Sequence, residues 1–234
     1  MKRFLILFFA VLLLFPLSAF SQDNLSKRIG SIKNSLDADT ESGFVFLYNY
    51  ETDLPLYPLS KDFKSFEMRA KKDANSNKLT LYIQCYYDVV TNTWIRVYPE
   101  EMDSFVSSMN TVLEKFIEWS NVAKDNHIKD FKKDIPLSCT LVNFGPGKYD
   151  DYYFEDKPFA CEFSVDSMGN SELRIFAEPN DDGHGAYLFF KSGDKLRDFV
   201  SKIQPKSVKA EYDKKEQMLL ELKNAENSQD ALFK

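Results

Sequence analysis

The side chains in this sequence that could carry chemistry are few, and their spacing is loose. There are two histidines. His184 lies in Asp181-Asp182-Gly183-His184-Gly185, where two carboxylates and an imidazole stand close enough in sequence to serve a metal ion or a proton transfer. The same residues are what a tight turn between strands uses, because Asp-Gly and Gly-flanked positions accept positive φ. Three neighbouring loop residues rarely complete a site, so the turn reading is preferred. His127, in Lys124-Asp-Asn-His-Ile128, falls near the expected end of a long helix, where a cation suits the helix dipole.

The densest chemistry lies in Lys148-Tyr149-Asp150-Asp151-Tyr152-Tyr153-Phe154-Glu155-Asp156-Lys157. Tyr149, Tyr152 and Tyr153, interleaved with Asp150 and Asp151, are the candidate contact residues. Amphipathic rings beside acids suit a protein surface, a cationic ligand or the face of a sugar. The competing reading buries the rings and leaves the acids solvated. The EF-hand loop pattern is absent, and no metal ligand set is assigned. Cys85, Cys139 and Cys161 each continue an alternating apolar run, which reads as core; a Cys139–Cys161 bridge between neighbouring strands is the alternative. The sequence contains no Gly-x-Ser-x-Gly elbow, His-Glu-x-x-His helix, Walker loop or dinucleotide fingerprint. No catalytic residue and no cofactor are therefore assigned.

The chain begins with Lys2-Arg3, an unbroken apolar run from Phe4 to Phe15, and Ser18-Ala-Phe-Ser21, in the order of a secretory signal cleaved after Ser21. The run is too short to span a membrane, which takes about 20 residues. The segment resembles the signals of exported proteins of Gram-negative Bacteroidota, which implies a periplasmic or extracellular protein of a Gram-negative bacterium, with no integral membrane segment once residues 1–21 are removed. Without Lys2 and Arg3 the 30 basic residues become 28 against 36 acidic ones, a net charge of −8. Such a chain is repelled by phosphate backbones, so nucleic acid is not expected as a partner. Three cysteines in an exported chain do not make a disulfide scaffold.

The elements that would position these residues come in two similar sets. Residues 22–42 read as a short helix (Leu25, Ile29, Ile32, Leu36) and a loop. Residues 43–130 then give a strand at Phe44–Tyr50, a hairpin from Phe66 to Tyr87 around Asp73-Ala-Asn-Ser-Asn77, a turn at Thr91–Thr93, a strand at Trp94–Tyr98, and a helix from about Pro99 to Asn126. Residues 131–226 repeat the order: a strand at Leu137–Phe144, a hairpin around Asp166-Ser-Met-Gly-Asn170, a strand at Ala186–Lys191, a helix carrying Leu196, Phe199, Val200 and Ile203, and an additional C-terminal helix. Residues 227–234 read as a frayed tail. Leu47 and Leu141, Leu79 and Leu173, and Phe105-Val-Ser107 and Phe199-Val-Ser201 match at an offset of 94, with Phe66–Ala70 matching Cys161–Val165 at 95.

The fold expected is α+β: two tandem units, each an antiparallel sheet with a helix, related by internal duplication and with the helices on one face. The function expected is an exported, non-catalytic binding or interaction module for a protein or glycan partner; a hydrolase with dispersed carboxylates is the alternative.

Overall fold

In the computed structural model, residues 43–53, 65–87, 90–146, 154–177 and 186–231 are described. The chain divides into two compact units. The larger spans Asp39–Tyr212; the smaller comprises Met1–Ala38 and Asp213–Lys234, and its described part, residues 213–231, is helical. The expected signal and N-terminal helix lie outside the described residues.

The larger unit is mixed α+β, built on a nine-stranded antiparallel sheet. Its strands are β1 (Phe44–Glu51), β2 (Ser65–Lys72), β3 (Leu79–Tyr87), β4 (Val90–Val97), β5 (Phe131–Asp134), β6 (Leu141–Pro146), β7 (Glu155–Val165), β8 (Ser171–Ala177) and β9 (Ala186–Phe190). Hydrogen bonding follows the order β1-β2-β3-β4-β6-β7-β8-β9, and β5 is attached to β7. A short β3–β9 pairing, Tyr86↔Tyr187 and Tyr87↔Ala186, joins β9 back to β3. Helix α1 (Met102–Asp125) follows β4, α2 (Gly193–Lys202) follows β9, and α3 (Pro205–Ala231) starts where Pro205 supplies a first-turn residue needing no N–H partner. The last helix runs to Ala231, into the stretch expected to be frayed.

Alternation in the strands decides what is buried. Met68, Ala70, Leu81, Ile83, Ile95, Val97, Cys161, Phe163, Leu173, Ile175 and Leu188 are all fully or nearly fully buried, and each stands on the apolar parity of its strand. Ring contacts tie the helices to the sheet: Phe105 to Phe159 (5.7 Å between centroids), Phe116 to Phe163 (6.1 Å), and Phe199 to both Tyr50 (5.0 Å) and Phe190 (5.7 Å).

Two hairpin turns are built alike. Asp73 follows β2 and takes the N–H groups of Asn75 and Ser76 on Oδ1; Asp166 follows β7 and takes those of Met168 and Asn170. Left-handed residues complete both turns, Asn77 at φ 58° and Gly169 at φ 92°. The closing pairs are Lys72↔Leu79 and Val165↔Ser171, so the second turn is one residue shorter. By hairpin position the strand offsets are 93 and 92, not the 95 and 94 of the residue matches. The opposite number of Leu81 is therefore Leu173, and Ile175 stands opposite Ile83. Each difference is two residues, which leaves every side chain on its face.

Two expectations for local structure are corrected. Thr91–Thr93 belong to β4, where Thr93 pairs with Cys85 and its hydroxyl donates to the Cys85 carbonyl at 2.9 Å. The strand predicted at Leu137–Phe144 starts only at Leu141. Residues 141–146 form β6, and the polar Phe131-Lys-Lys-Asp134 pairs with β7 instead.

Candidate functional site

The chemically richest place among the described residues is the face of the sheet opposite the Ile95/Val97 parity. Six strands place one residue each in a continuous row of paired positions: Phe46↔Arg69, Arg69↔Tyr82, Tyr82↔Arg96, Arg96↔Asn143 and Asn143↔Asp156. Rings and cations alternate over its first four positions, and the row ends in Asn143 and Asp156. Around Tyr82 of this row, Phe44, Trp94 and Phe154 complete a buried aromatic cluster. Phe44 meets Tyr82 edge-on at 4.8 Å, and Tyr82 meets Phe154 edge-on at 6.2 Å.

Arg96 is the hub. Its guanidinium carbon lies 4.3 Å from the Phe154 ring centroid and 4.9 Å from that of Tyr98, and its Nε donates to Asn143 Oδ1 at 2.8 Å. Asn143 in turn donates through Nδ2 to Asp156 Oδ1 at 3.0 Å. Arg96 is only 8% exposed and Asn143 7% exposed. A guanidinium tolerates such burial because its flat faces stack on rings while its edge donates. Arg69, 3% exposed, is held by Glu67 at 2.8 Å and lies 5.9 Å from the Phe46 centroid; Lys71 stands 5.1 Å from that of Phe44. Trp94 pairs with Gly145 across β4 and β6. Its Nε1–H is buried without a hydrogen-bond partner.

This arrangement can stack and hydrogen-bond; it offers no nucleophile. Its exposed end is Asp156, and Phe154, whose ring stacks on Arg96, is the first described residue after the β6–β7 connection. The predicted contact residues Tyr149, Asp150, Asp151, Tyr152 and Tyr153 belong to that connection and lie outside the described residues, as do Asp181, Asp182 and His184.

The remaining polar groups have structural places. His127 is exposed just past α1, left-handed at φ 53°, and its N–H donates to the Lys124 carbonyl. All three thiols are buried and unbonded, so Cys139 and Cys161 are not bridged. Burial pushes the Cys85 thiol up to about 12, against a smaller opposing effect of the Thr93 hydrogen bond, and it raises Cys139 and Cys161 as well. None has the thiolate character a nucleophile needs. Asp53 clamps the start of α2, accepting from the backbone N–H groups of Lys191 (2.9 Å) and Ser192 (3.0 Å) and from Lys195 Nζ (2.7 Å). Partial burial pushes its carboxyl up, but the Lys195 bond, the two backbone bonds and the Lys195 charge together bring it below the ordinary value. Among the described residues no group of three or more His, Cys, Asp or Glu is placed to hold a metal ion.

Sequence reasoning missed the Arg69–Arg96–Asn143 row. Glu67, Arg69 and Lys71 read as the solvated side of a half-buried strand. The available signal was that the corresponding positions of the neighbouring strands, Tyr82, Trp94 and Phe154, are large aromatics, too many for a face left wholly to water. Comparison of the chain with protein-family models, with curated proteins and with solved structures gives no match.

Proposed function

We propose that this chain is an exported, non-catalytic binding module that meets a protein or glycan partner through the β6–β7 connection, with Tyr149, Tyr152 and Tyr153 as anchors and Asp150 and Asp151 beside them. The observation that carries this reading is the root of that connection. Phe154 stacks on the buried Arg96, Asp156 is tied to Asn143, and Phe144 and Glu155 pair across the two strands. A contact loop loses less conformational freedom on binding when its ends are held by a rigid base. Three of the described carboxylates, Asp53, Asp73 and Asp166, are spent on a helix start and two turns.

The reading includes the internal duplication, of residues 43–130 and 131–226, with α1 and α2 on one face. It is supported by the recurrence of strand order, β1-β2-β3-β4 and β6-β7-β8-β9, each followed by a helix. The paired Asp73 and Asp166 turns support it further. So do Met102, Phe105, Val106 and Met109, which match Leu196, Phe199, Val200 and the capping Ile203 as buried positions at an offset of 94. The two halves are joined by β4–β6 pairing on one side; on the other, the Asp53 N–H donates to the Phe189 carbonyl at 2.8 Å.

The test replaces Tyr152 and Tyr153 together by Ser and compares partner capture from the native envelope with thermal unfolding. Capture should be lost and the unfolding temperature unchanged. Loss of stability would place these rings in the core, and unchanged capture would remove the connection as the contact site.

A further inference from the structure

A second site lies away from the aromatic row, between the last turns of α1 and the β7–β8 turn. It is an open cleft of about 430 Å³, walled by Ser120, Asn121 and Lys124 from α1, by Asn170 from the turn, by Ser171 at the start of β8, and by Lys191 just after β9. The volume suits a small ligand, but the wall is not apolar. Every one of these side chains ends in a hydroxyl, a carboxamide or an ammonium, and none in a carboxylate. Two carboxylates stand just behind the wall, Glu172 on Lys191 and Asp166 on Asn170, so among the described residues Lys124 is the ammonium left uncompensated.

Three details distinguish the cleft from a solvated helix end. First, the Ser120 hydroxyl oxygen is buried and has no hydrogen-bond partner, so the wall carries an unsatisfied polar atom. Second, Lys124 is not needed to cap α1. The terminal carbonyls are already taken: Val122 by the backbone and side-chain nitrogens of Asn126, Ala123 by the Ile128 N–H, and Lys124 by the His127 N–H. No carboxylate among the described residues lies within ion-pair distance of the Lys124 ammonium. Third, Lys191 is held in place by Glu172 at 2.5 Å and by the Phe189 ring at 5.4 Å, and Asp166 fixes the turn through Asn170. Among the described residues the cleft therefore has an ammonium without an ion-pair partner, that of Lys124, a second, that of Lys191, already paired with Glu172, and hydroxyl and amide groups between them.

We propose that this cleft binds a small hydroxylated anion, of the class of an acidic sugar, with its oxyanion between Lys124 and Lys191 and its hydroxyls on Ser120, Asn121 and Ser171. Charge-assisted bonds to two ammoniums fix the anionic group, and the neutral donors and acceptors suit the hydroxyls.

The experiment titrates the full chain at low ionic strength with glucuronic acid, glucose and inorganic phosphate, followed by calorimetry and by the backbone amide resonances of Gly169, Asn170 and Ser171. Glucuronic acid should bind saturably and move those resonances, and glucose should not. Lys124→Gln, on an exposed side chain with no ion-pair partner among the described residues to orphan, should weaken binding at least about tenfold, the loss of one charge-assisted bond. Ser120→Ala should weaken it several-fold. Phosphate that saturates the same resonances more tightly than glucuronic acid, with the same dependence on Lys124, would keep the oxyanion site and assign it to a phosphorylated ligand. Equal binding of glucose, no saturation by either anion, or binding indifferent to Lys124→Gln would overturn the proposal.

Discussion

Phe154→Ala is the perturbation that most directly probes how the β6–β7 connection is anchored. The ring is 8% exposed, lies 4.3 Å from the Arg96 guanidinium carbon and meets Tyr82 edge-on. Truncating a buried Phe to Ala costs about 3–5 kcal/mol. Within that total, the desolvated cation–π contact accounts for about 2 kcal/mol and the Tyr82 contact for about 1 kcal/mol. For a domain of this size a loss of 3–5 kcal/mol lowers the unfolding temperature by about 6–20 °C. The chain has two tryptophans, so a Trp119→Phe background leaves Trp94, a neighbour of Phe154 in the cluster, as the sole tryptophan, excited selectively beyond the tyrosine band. Urea unfolding followed by Trp94 emission and by far-ultraviolet circular dichroism should shift to lower midpoint together. Native Trp94 emission should move to the red as water reaches the cluster. Phe154→Leu, which keeps bulk but not the ring, should fall between. A loss below about 1 kcal/mol with unchanged emission would refute the stacking of Phe154 on Arg96, and with it the rigid root on which the functional reading stands.

Other outcomes follow from the same contacts. Phe105→Ala and Phe199→Ala, both almost completely buried, should each cost about 3–5 kcal/mol in chemical denaturation; a negligible cost for one of them would count against the proposed duplication. Asp53 is held below its ordinary value in the folded chain, so its contribution to stability is complete above the unfolded carboxylate value near 4 and is lost as pH falls through the lower folded value. Asp53→Asn should therefore destabilise at neutral pH, and its deficit should shrink below about pH 4. A deficit that grows on acidification would reverse the assigned sign. Cys85 and Cys161 should resist a thiol reagent at pH 8 until urea unfolds the chain; rapid modification of either under native conditions would contradict their burial.

The strand and helix order was legible because alternation and 3.6-residue periodicity are written in the residues that enter the core. Phe66, Met68 and Ala70 announced β2, and Phe105, Met109, Val112 and Phe116 announced α1. β5 was not legible: Phe131-Lys-Lys-Asp134 is exposed at every residue and is a strand only because β7 offers Glu162–Val165 as a partner. The turn placed at Thr91–Thr93 failed for the opposite reason, since Thr and Asn there satisfied turn chemistry locally while Cys85 and Gln84 drew residues 93 and 94 into pairing. Register was equally hidden. Residue matches put Leu81 with Ile175, whereas the turn after Asp166 sets the pairing two residues away, and both choices bury a large aliphatic on the same face. The aromatic row needed six strands in register before Arg69, Arg96 and Asn143 became neighbours, and no local pattern in any one strand records that.

The central claim is that the β6–β7 connection is the contact surface of a binding module. The most direct measurement replaces Tyr152 by a photoreactive amino acid in the full chain, irradiates the cells that produce it, and resolves the adducts by mass. A control carries the same group at Met168, an exposed position on the β7–β8 turn. One discrete adduct from position 152, absent from position 168 and lost when Arg96 is replaced by Leu, is the predicted result. Adducts of equal yield from both positions, or none from position 152 in a correctly folded protein, would contradict it.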